Sequence, residues 1–113
     1  MARPRFARLL PLLAAALLPM PALLIRHHVA DYPAWKAVFD ELEPTRRANG
    51  AQEERLFRDA LDPHEVMVLL AWDDLERARL FVDSDDLREA MMRAGITDRP
   101  DFWFLEDAER PTV

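Results

Sequence analysis

The side chains best suited to chemistry stand together near the start of the first amphipathic segment. Residues 23–35, LLIRHHVADYPAW, carry two adjacent histidines, and imidazole can donate, accept or exchange a proton near neutral pH. Neighbouring side chains of a strand point to opposite faces, so His27 and His28 cannot bind one metal ion together. Either is a candidate catalytic residue, lining a pocket as a base or as the partner of a substrate oxygen. The alternative is structural, with one ring in the core and the other in an interface.

A second group of side chains could hold a flat ligand by stacking. The candidates for substrate binding are the aromatic residues Tyr32, Trp35, Trp72 and Trp103. The same rings each bury a large apolar area, so core packing is the alternative role. The flexible side chains of Met67, Met91 and Met92 could line an adaptable apolar cavity or simply fill gaps in the core.

Composition excludes several kinds of site. The chain has no cysteine, hence no thiolate nucleophile and no cysteine-ligated zinc, and its two glycines cannot form a glycine-rich phosphate loop. The acidic runs at residues 73–74 and 83–86 precede predicted helices, where such carboxylates, and the hydroxyl of Ser84, cap free amide groups. They lack the spacing of a calcium loop. We therefore predict no metal site and no bound cofactor, and we expect His64, which lies in a turn, to be exposed.

Charge is distributed unevenly along the 113 residues. The formal net charge is -6, but residues 1–22 hold three arginines and no acid, so the remainder carries 12 basic and 21 acidic groups. A body this acidic repels a phosphate backbone, and we do not expect nucleic acid as a partner.

Residues 1–22, MARPRFARLLPLLAAALLPMPA, form an N-terminal extension of a different character from the rest. A basic start followed by an apolar run is the layout of a secretory signal. Three prolines interrupt the run, and we expect no stable membrane span from it. Three interpretations of this extension remain open: an over-extended start with Met20 as the true first residue, a signal or anchor, and a disordered tail. We expect a cytoplasmic protein, or an exported one if the extension is a genuine signal.

The remaining pattern predicts the element order β-α-β-β-α-α-β in a single domain over residues 23–107, followed by a tail over 108–113. Strands are predicted at 23–29, 52–59, 65–72 and 101–106 from their branched and aromatic residues. The first helix follows a capping Asp31 and Pro33, and Pro44 should interrupt it. Two further helices start at Asp73 or Asp74 and at Ser84. This order predicts an α+β, ferredoxin-like fold with a four-stranded antiparallel sheet.

The predicted sheet is apolar on both faces, which has a consequence for assembly. EVMVLLAW (65–72) and DFWFLE (101–106) place large apolar groups on each side, whereas the helices can cover one side. A second copy of the sheet would cover the other. We therefore predict a homodimer packed sheet against sheet with two-fold symmetry.

Three segments resemble one known superfamily. RHHVADYPAWKAVFDE, WDDLERARLFVDSDDLREAMMRAGI and FWFLE are similar to the dimeric α/β-barrel superfamily, and closest to its small bacterial antibiotic-biosynthesis-monooxygenase-like and cyclase-like members. The resemblance implies that two ferredoxin-like chains dimerise into an α/β barrel. Its members include cofactor-free quinone-forming monooxygenases, haem-degrading enzymes, polyketide cyclases and many proteins without an assigned activity.

The resemblance is compatible with more than one function. The haem-degrading members share an Asn, a Trp and a His around the haem, but the one asparagine here is Asn49, beside the predicted helix-ending Gly50. The Asn-Trp-Tyr-Arg set of the quinone-forming members cannot be placed on this chain residue by residue. The first hypothesis is a cofactor-free monooxygenase or cyclase-like enzyme acting on an apolar aromatic or polyketide-like molecule. The alternative is a non-catalytic ligand-binding or dimerisation module.

Overall fold

The computed structural model describes residues 20–109 and residue 111. Its strands are Ala22–His28 (β1), Ala51–Arg58 (β2), Glu65–Trp72 (β3) and Asp101–Leu105 (β4), and its helices are Tyr32–Glu41 (α1), Glu43–Ala48 (α2), Leu75–Val82 (α3) and Asp85–Arg93 (α4). The predicted order is confirmed, with the first helix divided in two. The extension predicted at the N-terminus lies outside the described residues up to position 19, as does much of the predicted tail.

The four strands form one antiparallel sheet in the order β2-β3-β1-β4. The two central strands are β1 and β3, whose registers place Ile25 opposite both Val68 and Phe102. β1 starts one residue earlier than predicted, and the carbonyl of Pro21 accepts a hydrogen bond from the Trp72 amide at 2.9 Å. The α+β, ferredoxin-like architecture expected from the sequence is therefore present.

Helix starts follow the predicted capping residues, with one correction. The Asp74 side chain accepts a hydrogen bond from the Glu76 amide, and the Ser84 hydroxyl accepts one from the Leu87 amide. Asp31 occupies the N-cap position of α1 but makes no side-chain cap hydrogen bond, so its predicted capping role is wrong. The reason is local: an N-cap oxygen usually bonds the second or third helical amide, and the second residue here is Pro33, which has no N–H.

The break between α1 and α2 and the turn into β2 each depend on one residue. α1 ends at Glu41, and α2 begins two residues later with Pro44 in its first turn, as expected because proline cannot continue the preceding hydrogen-bond ladder. After α2, Gly50 has a φ of 117°, which L side chains rarely adopt. A Cβ at this glycine would also overlap the Asp73 carboxylate and the Trp72 indole.

The helices lie on one face of the sheet and form the core with it. The buried residues alternate along the central strands, with Leu23, Ile25 and His27 from β1 and Val66, Val68, Leu70 and Trp72 from β3. Trp35 of α1, Ala78 and Phe81 of α3, and Leu87 of α4 complete this layer. The core is therefore built where two strands and three helices meet, as a half-buried antiparallel sheet requires.

The other face of the sheet, here called the open face, is covered by no helix of the described residues. Directly opposed residues of antiparallel strands point to the same side, so the registers assign this face to the apolar residues Leu24, Phe57, Met67, Leu69, Trp103 and Leu105. Phe57, Trp103 and Leu105 are 40%, 44% and 39% exposed. Both sides of the sheet therefore carry large apolar residues, as predicted. Among the described residues, no helix has the length and apolar character needed to cross a membrane.

Candidate functional site

A cavity of about 50 Å³ lies between the sheet and the helices. Its sheet side is formed by Ile25, His27, Val68 and Leu70. Its helix side is formed by Trp35, Val38, Phe39 and Leu42 of the first helix region, Arg46 of α2, and Leu87, Ala90 and Met91 of α4. The wall is almost entirely carbon. The volume suits a few water molecules, since each needs about 10–15 Å³, whereas pockets for drug-sized ligands measure about 300–1,000 Å³. A larger ligand would therefore have to move α1 and α4 apart.

His27 is the unusual polar group in this wall. It is 3% exposed, and neither Nδ1 nor Nε2 has a hydrogen-bond partner within the described part of the chain. Its ring meets the Trp35 ring edge-on, with centroids 5.4 Å apart. Burial lowers the pKa of His27 to about 4, because an apolar environment disfavours the charged imidazolium. At pH 7 the ring is therefore neutral, with one free N–H donor and one free acceptor.

A row of aromatic rings connects His27 with a buried cation. Trp35 stacks on Phe39 with centroids 5.1 Å apart, and the Arg46 guanidinium lies 3.6 Å from the Phe39 ring centre. Arg46 is 2% exposed. It forms an ion pair with Glu54 of β2 and donates to the Phe39 carbonyl at 2.6 Å. The charge of Arg46 is thus balanced inside the protein, as a buried cation requires.

His28 points away from this cavity. Its Nδ1 atom is 2.8 Å from the Thr97 hydroxyl, its Nε2 atom is 3.4 Å from Oδ2 of Asp62, and its ring stacks on that of His64. The two adjacent histidines therefore lie on opposite faces, as the alternation predicted, and His27 alone of the two reaches the cavity. His64 is exposed, as expected.

The aromatic candidates do not form one site. Trp35 lines the cavity. Tyr32 packs against Trp35 at 5.6 Å and beneath the Arg58 guanidinium at 4.4 Å, but does not line the cavity. Trp72 is fully buried but does not line the cavity. It donates its indole N–H to the Asn49 carbonyl at 2.9 Å. Trp103 lies on the open face.

The sequence contains no sign that Arg46 lines the cavity, and it does not show which of the three methionines would do so. Arg46 stands near the end of a helix, where basic residues usually point to solvent, and the contact with Glu54 that retains it inside is not visible in either local pattern. Met91 lines the cavity, whereas Met92 is 81% exposed. Met67 faces the open side. A one-residue difference on a helix rotates a side chain by about 100°, which explains the contrast between Met91 and Met92.

The solved structures that match this chain share its fold. No family model matches the chain, and no curated protein matches it. Solved structures do match. A Caulobacter crescentus protein provisionally named an antibiotic biosynthesis monooxygenase is 19% identical, with a TM-score of 0.64 over 81% of this chain and 92% of that one. A Bordetella bronchiseptica protein with the same provisional name is 17% identical, with a TM-score of 0.65 over 85% of this chain and 100% of that one.

A characterised oxygenase has the same architecture. SnoaB, a cofactor-independent oxygenase from Streptomyces nogalater, is 14% identical, with a TM-score of 0.62 over 85% of this chain and 98% of its own. At these identities the similarity is one of fold. The chain therefore has the α+β, ferredoxin-like fold of the antibiotic-biosynthesis-monooxygenase-like proteins.

Proposed function

We propose that this protein is a homodimer that binds an apolar aromatic or polyketide-like molecule in the cavity beside His27. His27 takes a proton from the ligand, in a cofactor-free oxygenation or a cyclase-like reaction. The observation that carries the proposal is a buried imidazole in an apolar wall, with both ring nitrogens unpartnered among the described residues. Such groups are rare in folded proteins, because each buried polar atom without a hydrogen bond costs about 1–3 kcal/mol.

The chemistry follows from the environment of the ring. With a pKa of about 4, set mainly by burial, His27 is a weak base in the ligand-free cavity. A ligand O–H or C–H group conjugated to an aromatic system could pass its proton to the imidazole and keep the electron pair. The resulting anion stabilises the imidazolium, since opposite charges attract strongly in an apolar site. An electron-rich anion of this kind is the form of an organic molecule that reacts directly with dioxygen.

Entry of such a ligand requires the cavity to widen between α1 and α4. Across this boundary, Arg93 and Glu41 form an ion pair at 3.0 Å, and both side chains are largely exposed. An exposed pair contributes about 0–1 kcal/mol, so its separation costs little. Met91, which lines the cavity between these helices, is unbranched and adapts readily to a new shape.

The homodimer is supported by the open face. Leu24, Trp103 and Leu105 leave an apolar surface at the centre and edge of the sheet, and a monomeric protein seldom exposes a contiguous apolar patch of this kind. A second open face related by a two-fold axis offers a surface of matching character. We expect sedimentation analysis to give a dimer at micromolar concentration, and Trp103→Glu to shift it to monomer.

A non-catalytic role as a ligand-binding or dimerisation module is the second candidate. It is favoured by the nearly all-carbon cavity wall and by the internal neutralisation of Arg46 by Glu54. Both features suit retention of an apolar molecule without any reaction.

The deciding experiment compares the two histidines. Hydroxylated anthrone-like and naphthol-like aromatics are screened by thermal shift, and dioxygen consumption is then measured in buffer containing a chelator. We expect His27→Ala to lose the ligand-dependent shift and at least about tenfold of any oxygen consumption, since a positioned base contributes about 10²–10⁴-fold. His28→Ala, on the opposite face, is the matched control and should retain both.

The binding and oxygen-consumption results distinguish the two candidate functions. Binding without oxygen consumption or product formation would favour the non-catalytic module. Equal losses in the two histidine variants, with both folded, would remove His27 from the mechanism.

A further inference from the structure

Three side chains of types that bind metals converge at the end of the open face. One potential ligand atom from each of His28, Asp62 and Glu65 lies within 4.8 Å of the other two. They come from the last residue of β1, the turn before β3, and the first residue of β3, which is paired directly with His28. We propose that this cluster binds a divalent transition-metal ion of the zinc or cobalt type, through Nε2 of His28 and one carboxylate oxygen each from Asp62 and Glu65.

The hydrogen bonds of His28 suit an Nε2 atom that is free to bind a metal ion. In the tautomer with the ring proton on Nδ1, this atom donates to the Thr97 hydroxyl, 2.8 Å away, and the hydroxyl donates to the His28 carbonyl oxygen, 3.2 Å away. Nε2 then presents a lone pair. Metal-binding histidines show this arrangement, with the second ring nitrogen donating to a protein acceptor.

The distance between Nε2 and its neighbour fits a bridging ion better than a hydrogen bond. Nε2 of His28 faces Oδ2 of Asp62 at 3.4 Å. In the tautomer protonated on Nδ1 these two atoms are both acceptors and repel each other. A charge-assisted N–H···O bond would measure about 2.7–2.9 Å. Two ligand atoms each about 2.1 Å from a tetrahedral ion lie about 3.4 Å apart.

The surrounding charges also favour a cation. Three carboxylates, those of Glu65, Asp98 and Asp101, pair with the guanidinium of Arg26. A fourth, that of Asp62, lies beside His28. Arg26 contacts one oxygen of Glu65, which leaves the second oxygen available as a ligand. A divalent ion would offset the excess of negative charge around this one arginine.

The donor set indicates the class of ion. Imidazole with carboxylate oxygens suits zinc, cobalt or nickel, whereas calcium and magnesium prefer oxygen ligands alone. The His64 ring stacks on His28 at 5.6 Å but supplies no ligand atom to the converging set. Three protein ligands leave a coordination position for water or a small anion.

The test is a titration of the full chain with cobalt(II), followed by its visible absorption, and with zinc chloride, followed by calorimetry. We expect one ion per chain. His28→Ala and Asp62→Asn should each weaken binding by at least about tenfold. The asparagine keeps the Oδ1 atom that accepts the His64 amide at 3.0 Å, so the turn is preserved. His64→Gln removes a neighbouring histidine outside the converging set, and should weaken binding much less than either ligand variant.

The proposal is overturned if neither ion binds at millimolar concentration, or if His28→Ala and Asp62→Asn bind as tightly as the parent protein. It is also overturned if His64→Gln loses as much affinity as His28→Ala, because binding would then be that of any surface histidine. Far-ultraviolet circular dichroism checks the fold of each variant. If His28→Ala does not fold, Asp62→Asn and Glu65→Gln decide the question in the same way.

Discussion

Replacing His27 with phenylalanine should stabilise the protein while removing the proposed function. The change removes two buried ring nitrogens that lack partners among the described residues, each of which costs about 1–3 kcal/mol. Phenylalanine has a similar outline, and its extra volume can extend into the adjacent cavity of about 50 Å³. The usual overpacking cost of about 1–3 kcal/mol is therefore reduced. We expect the free energy of unfolding at pH 7 to rise by about 1–2 kcal/mol.

The same substitution should change how stability depends on pH. Burial holds the pKa of His27 at about 4 in the folded protein, below the ordinary value of 6.5. Between these values the unfolded chain binds a proton that the folded chain does not, so acid favours unfolding. The part of the folding stability that depends on a neutral His27 is fully present above pH 6.5 and is lost as the pH falls to about 4. A shift of this size corresponds to about 3 kcal/mol, which His27→Phe should remove from the pH dependence.

Equilibrium urea unfolding, followed by tryptophan fluorescence, measures both effects. Parent, His27→Phe and His28→Ala proteins are compared between about pH 4 and pH 7.5 at one fixed protein concentration, since association would make stability concentration-dependent. His28→Ala should retain the pH dependence that His27 causes. A loss of more than about 1 kcal/mol in His27→Phe at pH 7, or an unchanged slope below pH 6.5, would refute the reasoning. The imidazole would then have a hydrogen-bond partner in solution.

Two further predictions concern the buried ion pair of Arg46 and the caps of two helices. Glu54→Ala leaves the Arg46 guanidinium buried without its carboxylate and should lower the free energy of unfolding by about 2–3 kcal/mol. This is somewhat less than for a fully buried pair, because Glu54 is partly exposed. The control is Glu89→Ala at an exposed position on α4, which should cost less than about 0.5 kcal/mol. If both variants unfold at the same urea concentration, the buried pair has no structural importance. Asp74→Ala should cost about 1 kcal/mol because it removes a cap, whereas Asp31→Ala should cost less than about 0.5 kcal/mol. Thermal unfolding compares this pair, and a larger loss at Asp31 would contradict the structure.

The order and type of the elements could be predicted because local chemistry specifies them. Pro44 cannot continue a helix, Ser84 and Asp74 supply caps, and Gly50 tolerates a backbone angle that other residues avoid. The alternation along β1 also placed His27 and His28 on opposite faces, since side-chain direction in a strand has a period of two. The one failed cap is at Asp31, where Pro33 removes one of the two amides that an N-cap side chain usually bonds.

The sequence by itself determined the ferredoxin-like order, the two apolar faces of the sheet and the opposition of the two histidines, because each depends on short-range periodicity. Only the tertiary structure decided which face holds the cavity. It also brought Arg46 of α2 inward to Glu54 of β2, and set His28 beside Asp62, 34 positions away along the chain. Such contacts join residues of different elements, and they depend on how helices pack on the sheet and how strands pair, which no local pattern encodes.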